Sequence, residues 1–176
     1  MKPGIAALLI IIFSISFAQK KEESEIKYDV FSFIKQVTLP GTPVEIYDAA
    51  TGDISGWWDH SFSENPKEFF IEARPGGEFR EIFDDQGNGV LHATVIYADR
   101  GRLLRFDGPL GLSGLAIQFV TSFSFEPAGS DSTLFIVSVH AAGEMNSNLP
   151  GVVESVWDHF IFERFKPYIE AGKHKD

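Results

Sequence analysis

The chain has 176 residues, with 17 Phe, 3 Trp and no cysteine, and its formal net charge is −10. The length fits one domain with a sizeable core, which burial alone must hold together because disulfides and cysteine-bound metals are excluded. The acidic balance repels phosphate backbones and anionic lipid headgroups, so nucleic acid is a poor candidate partner.

The first eighteen residues have the three-part layout of a secretory signal peptide. Lys2 supplies a positive start, residues 5–13 form an uncharged apolar run, and Ser16 and Ala18 are small residues before a cleavage site. The apolar run is shorter than the roughly 20 residues of a membrane-spanning helix. The sequence therefore predicts an exported protein, periplasmic or secreted, with no stable membrane anchor after cleavage.

The segment after the predicted cleavage site, residues 19–29, is charged and shows no periodicity, so we interpret it as a flexible leader. A single domain is expected at 30–176, and it starts with a predicted strand at 30–39. A short helix follows at 43–50, with Thr42 as its N-cap.

Two adjacent tryptophans, Trp57 and Trp58, follow this helix in a second short turn. Because neighbouring side chains point in different directions, we expect only one of them to plug the end of the core. The other is expected at the surface or at the mouth of a cavity, and we place Trp58 near such a mouth.

Six predicted strands then alternate with turns rich in Gly, Pro and Asp. Hairpin spacing between them predicts an antiparallel meander. Apolar and polar side chains alternate on the strand at 116–125, so Phe119 and Phe123 share one face, which is expected to point at the final helix. The six strands are predicted at 69–73, 78–83, 90–98, 103–106, 116–125 and 133–142.

Near the end of the chain the spacing of apolar residues changes from the alternation of the strands to steps of three and four. Val156, Trp157 and Phe160 belong to this series, which predicts an amphipathic helix of roughly five turns from Pro150. Pro167 is expected to kink this helix or to end its regular part. The predicted fold class is α+β, with a bent antiparallel sheet wrapped around the long C-terminal helix.

Several short motifs occur in a characteristic order between residues 33 and 171. They are Trp57-Trp58, the hairpin at 74–79, His92-Ala93-Thr94-Val95, the strand at 102–106 and the strand at 133–140. This ordered series resembles the START-like (SRPBCC) superfamily, in the branch named for homologues of the heat-shock-protein ATPase activator. The resemblance implies a helix-grip fold with a cavity between sheet and final helix, where relatives bind lipids, sterols or other metabolites. The loop at 108–114 is a candidate lid of that cavity.

The resemblance and the apolar faces together suggest a ligand-binding cavity. Its expected lining is aromatic and aliphatic with one histidine: Trp58, Phe79, Phe119, Phe123, His140, Val156, Trp157 and Phe160. The alternative is that the same phenylalanine rings fill the interior as a solid core. Our first hypothesis is a carrier or sensor of a small hydrophobic ligand, bound by apolar burial.

Two other function classes stay open. An enzyme of the cyclase, dehydratase or hydrolase type is possible, with His140, Tyr97 or Glu72 as acid–base groups, provided two titratable side chains meet in one cavity. A protein-interaction module is the third hypothesis, for which a large exposed apolar patch without a cavity would be evidence. No nucleophile motif is present, so the sequence assigns no catalytic residue.

The five histidines are scattered, and no two have the i, i+4 spacing of a helical zinc site. The turn at 84–89 superficially resembles a calcium-binding loop, but it lacks the closing bidentate glutamate. The sequence therefore predicts neither a metal site nor a cofactor.

Overall fold

The structure, a computed structural model, describes residues 27–175. The predicted signal peptide and residues 19–26 of the predicted leader lie outside the described residues. The strands are β1 (Lys27–Pro40), β2 (Gly52–Asp53), β3 (Glu68–Ile71), β4 (Glu78–Ile82), β5 (Gly89–Asp99), β6 (Leu103–Gly108), β7 (Ile117–Pro127) and β8 (Ser132–Met145). The helices are α1 (Pro43–Ala49), α2 (Leu149–Asp158), a π-helical segment (His159–Phe165) and α3 (Lys166–Glu170).

All eight strands form one curved antiparallel sheet in the order β1-β8-β7-β6-β5-β4-β3-β2. Strands β2 to β8 are a meander, as the turn spacing predicted, and β1 pairs with β8 along its whole length. Strand β1 begins at Lys27, three residues earlier than predicted, because charged residues at a sheet edge can still pair through their backbones. The two-residue strand β2 was not predicted, since two residues carry no detectable period.

Helix α1 starts where its capping signal indicated. The Thr42 hydroxyl accepts a hydrogen bond from the Glu45 amide at 3.4 Å, and the Glu45 carboxylate accepts one from the Thr42 amide at 2.7 Å. This capping box satisfies two amides that the first turn leaves unpaired. The helix buries Ile46 and Tyr47, and the Tyr47 ring lies 5.2 Å from the ring of Phe125.

Both tryptophans of the adjacent pair are buried, so the expectation that only one faces inward is wrong. The backbone amides of Trp57 and Trp58 both bond to the Ile54 carbonyl, which makes the segment a tight turn. The two rings are 5.4 Å apart at 70° to each other. They enter different parts of the core: Trp57 packs on Phe165, and Trp58 stacks on Phe160 with 3.8 Å between centroids.

The C-terminal helix spans 22 residues and lies against the concave face of the sheet, as predicted. The Trp157 ring contacts Phe123 of β7, and Phe165 contacts Phe135 of β8. Lys35 of β1 links the edge of the sheet to the helix. Its ammonium group forms ion pairs of 2.8 and 2.9 Å with two carboxylates of the helix. The α+β helix-grip architecture is therefore confirmed.

Pro167 does not end the helix, which continues to Glu170, and the turns before it are π-helical rather than α-helical. Proline cannot donate an amide hydrogen bond and its ring crowds the carbonyl four residues back. A wider helical turn moves that carbonyl away, so the chain continues as α3. Among helices in residues 27–175, none combines the length and hydropathy needed to cross a bilayer.

Candidate functional site: a cavity between sheet and helix

A cavity of about 400 Å³ lies between the sheet, the C-terminal helix and two loops. This volume falls within the roughly 300–1,000 Å³ range of small-molecule sites. Most of its walls are apolar or aromatic, with a few polar groups at one end. The lining residues are Trp58, Asp59, His60, Ser61, Phe62, His92, Leu110, Gly111, Leu112, Phe119, Leu149, Val152, Val153, Val156, Trp157 and Phe160.

Five of the eight side chains predicted from the sequence line this cavity. They are Trp58, Phe119, Val156, Trp157 and Phe160. Phe79 and Phe123 lie instead in the solid core beneath it, where both are fully buried. Phe79 packs against Trp58 at 5.1 Å, and Phe123 packs against Trp157 at 5.9 Å, so they support the cavity wall from behind.

His140 lies on the other face of the sheet, so its predicted place in the cavity needs correction. Val139 and Ala141, its neighbours on β8, are buried, and alternation along a strand therefore turns His140 outward. The ring is exposed and lies 3.3 Å from the Ser138 hydroxyl. The other two acid–base candidates are also outside the cavity lining: Tyr97 is 44% exposed, and Glu72 pairs with Arg74 at 2.7 Å.

Two loops close the cavity, of which the lid loop was predicted from the sequence and the loop at 59–62 was not. Residues 59–62 form one wall, and Leu110, Gly111 and Leu112 of the proposed lid form another. Leu110 has a φ of +51°, a left-handed conformation that is uncommon for a residue with a side chain. Its side chain packs against the core, which holds this conformation and directs the loop over the cavity.

A buried carboxylate anchors the wall formed by residues 59–62. One oxygen of Glu81, Oε1, accepts hydrogen bonds from the backbone amides of Phe62 and Ser63, each at 3.0 Å. The other, Oε2, lies 3.5 Å from His92 Nε2. The Glu81 side chain is 0% exposed and that of His92 is 5% exposed, so the pair is shielded from water.

Burial lowers the pKa of His92 below its ordinary value of 6.5, because the charged ring is poorly solvated there. A backbone hydrogen bond with Leu110 and the Glu81 carboxylate act in the opposite direction but do not reverse the shift. His92 is therefore neutral at neutral pH, and it connects the Glu81 anchor with the lid loop.

A group of carboxylate, imidazole and guanidinium side chains lies at the outer rim of the cavity, and we call it the rim cluster. It consists of Asp59, His60, His159, Glu163 and Arg164. His159 Nε2 is 3.0 Å from both carboxylate oxygens of Asp59, and its Nδ1 is 2.8 Å from Glu163 Oε2. Arg164 Nε lies 3.2 Å from Asp59 Oδ2. The hydrogen bonds that His159 donates to Glu163 and then to Asp59 raise the pKa of His159 above 6.5.

We expect an NMR titration to place the pKa of His159 above 6.5, and replacing Glu163 with Gln to lower it. Because the folded-state pKa is raised, the stabilisation from these contacts is complete below about pH 6.5. It is lost as the pH rises through the folded-state pKa. Glu170→Gln, on the same helix but paired with Lys166, is the control. A His159 pKa that is the same in wild type and Glu163→Gln would contradict this assignment.

Solved structures of low sequence identity share the fold. A putative uncharacterized protein from Rhizobium leguminosarum aligns with a TM-score of 0.60 at 12% identity, over 83% of this chain and 98% of that one. A conserved protein of unknown function from Enterococcus faecalis aligns with a TM-score of 0.59 at 13% identity, over 82% of this chain and 77% of that one.

An enzyme is also among the structural neighbours. Norcoclaurine synthase from Thalictrum flavum, a point mutant in complex with a transition-state analogue, aligns with a TM-score of 0.53 at 13% identity, over 84% of this chain and 98% of that one. No family model matches the sequence, and no curated protein matches it. At these identities the likeness establishes the fold alone, and function has to be argued from the site.

Proposed function

We propose that the protein is an exported binding protein for a small hydrophobic molecule, which it holds between the sheet and the C-terminal helix. The observation that carries this proposal is the cavity of about 400 Å³ with predominantly aromatic and aliphatic walls. The side chains around this cavity therefore leave an apolar space unfilled. The alternative of a solid phenylalanine core is therefore not favoured.

The walls suit an apolar occupant with few polar groups. Trp58 is held by stacking on Phe160 and by edge contacts with Phe79 and Trp157, so this part of the cavity is preformed. A molecule that buries about 300 Å² of apolar surface gains roughly 7.5 kcal/mol. Association costs about 4 kcal/mol or more in lost translational and rotational freedom, and a preformed site keeps the further ordering cost small. A dissociation constant between the micromolar and millimolar ranges is therefore expected.

We further propose that the chain belongs to the START-like superfamily, in the branch of homologues of the heat-shock-protein ATPase activator, and acts in the periplasm or outside the cell. The ordered motifs and the shared helix-grip architecture support the family assignment. The layout of residues 1–18 supports export. An exported protein would meet its ligand outside the cytosol, which makes a carrier or a sensor the fitting role.

A titration with a neutral, environment-sensitive naphthylamine dye tests the binding proposal. We expect saturable one-to-one binding and a change in tryptophan fluorescence, because Trp58 and Trp157 line the cavity. Long-chain alcohols should displace the dye. Dye fluorescence that rises linearly without saturation, or that no apolar competitor reduces, would argue against a defined site.

A cavity-based enzyme is the second candidate, and one observation favours it. His92 lines the cavity and contacts the buried Glu81, which places a carboxylate–imidazole pair next to any bound molecule. If the protein is an enzyme, a bound molecule should be converted over time, and His92→Gln should stop conversion while binding persists. The third hypothesis, an interaction module, required a large apolar patch without a cavity, so the presence of a cavity does not favour it.

A further inference from the structure

Three potential metal ligands meet at the rim of the cavity, although they come from distant parts of the chain. Asp59 and His60 lie in the loop after Trp58, whereas His159 opens the π-helical segment, 100 residues after Asp59. One ligand atom from each residue lies within 4.8 Å of the other two. The sequence could not indicate this group, because neither loop nor helix contains a metal-binding spacing by itself.

We propose that Asp59, His60 and His159 bind a divalent transition-metal ion such as Zn²⁺. Two imidazoles and one carboxylate are ligands that Zn²⁺ and its neighbours in the first transition row accept. Ligand atoms about 2.0–2.1 Å from a tetrahedral ion lie roughly 3.3 Å from one another. Asp59 and His159 already match this spacing at 3.0 Å, so only the exposed ring of His60 has to move inward.

Two further residues hold these ligands in the orientation that a metal ion needs. Glu163 binds Nδ1 of His159, which directs Nε2 of the same ring toward the shared point. Arg164 contacts Oδ2 of Asp59 and so holds the carboxylate, whose two oxygens both lie 3.0 Å from His159 Nε2. Metal-binding histidines and carboxylates are commonly oriented by such outer partners, whose loss costs about 10–100-fold in affinity.

The ring of His60 has its own packing support. It lies 4.8 Å from the Phe160 ring and 5.3 Å from the His159 ring. Because His60 also lines the cavity, an ion at this position would lie at the cavity mouth. Three protein ligands leave at least one coordination position open, which a water molecule or a polar group of the bound molecule can occupy.

A proton competes with the metal for His159. The groups that face this ring are Asp59 and His60 from the loop, and Glu163 and Arg164 from its own helix. Metal binding requires an imidazole nitrogen without its proton, so an ion on His159 Nε2 competes with a proton for that atom. Zn²⁺ binding should therefore release a proton and strengthen as the pH rises.

Calorimetric titration of tag-free, chelator-treated protein with ZnCl₂ tests this proposal. We expect one saturable site per chain, and Co²⁺ in place of Zn²⁺ should give visible ligand-field absorption. His60→Ala should weaken Zn²⁺ binding by about tenfold or more, and Glu163→Gln should weaken it by about tenfold. His60→Ala is the cleaner test because His60 is not part of the ion pairs that link Asp59, His159, Glu163 and Arg164.

His140→Ala is the matched control, since it removes an exposed histidine on the opposite face of the sheet and should leave Zn²⁺ affinity unchanged. Unfolding midpoints of the variants without metal check that each has folded. Absence of a saturable site, or equal affinities of wild type and His60→Ala, would overturn the proposal. The readout is independent of dye binding, so either proposal can fail while the other stands.

Discussion

Replacing Val156 with tryptophan should lower the affinity for an apolar dye by roughly 100-fold. Val156 lies in α2 and lines the cavity, so the larger indole ring would occupy space that the bound molecule needs. Forcing a ligand into a space that a larger side chain already fills costs about 1–3 kcal/mol of binding free energy. The ligand also loses the contacts it made with the cavity wall. Each 1.4 kcal/mol corresponds to about tenfold in affinity. Dye titration of wild type and variant measures the ratio.

The matched control is Val30→Trp, which makes the same substitution on the outside of β1. Val30 is 72% exposed and does not line the cavity, so dye affinity should stay within about twofold of wild type. Val156→Trp should also keep a cooperative unfolding transition, which shows that lost binding reflects a blocked cavity. Equal dye affinities for Val156→Trp and wild type would mean that the dye binds elsewhere.

Removing the buried carboxylate of Glu81 should destabilise the protein by about 3 kcal/mol. Glu81→Ala leaves the partly buried amides of Phe62 and Ser63 without their acceptor and removes the charge that faces His92. Hydrogen bonds to a charged group contribute about 1.5–3 kcal/mol, and a buried unpaired amide costs about 1–3 kcal/mol. Urea denaturation monitored by circular dichroism measures the difference in unfolding free energy.

Glu78→Ala is the control for this prediction, because Glu78 lies on the same strand but its side chain is 53% exposed. It should change the unfolding free energy by no more than about 0.5 kcal/mol. In Glu81→Ala, amide hydrogen exchange at Phe62 and Ser63 should also speed up, since the wall of the cavity loses its anchor. Similar stabilities for the two variants would show that the carboxylate does not hold this loop.

The sheet and the final helix could be predicted because their signals are local. Alternating side chains identified β7 and its buried Phe face, and the steps of three and four identified the helix that contains Val156 and Trp157. The same alternation contained the correct position of His140: Val137, Val139 and Ala141 share the inner face of β8, which leaves His140 outside. The alternation along β8 therefore carries enough information to place His140 outside the cavity.

The boundary between filled core and open cavity could not be predicted. Phe79, Phe119 and Phe123 are all buried in the core, but only Phe119 borders the cavity. Which ring meets empty space depends on the curvature of the sheet and on where two loops cross it. The contact between His60 and His159 could not be predicted either, because it forms only when the chain has folded. The π-helical turns before Pro167 were likewise not predictable from the spacing of apolar residues.

Native mass spectrometry of the protein, purified from the cell envelope or medium without detergent, tests most directly whether the space between sheet and helix holds a hydrophobic molecule. We expect a population of wild-type protein that carries extra mass from an extractable apolar compound, and Val156→Trp should lack it. Wild-type protein that shows only its bare polypeptide mass, and that also fails to take up added apolar molecules, would contradict a ligand-binding role.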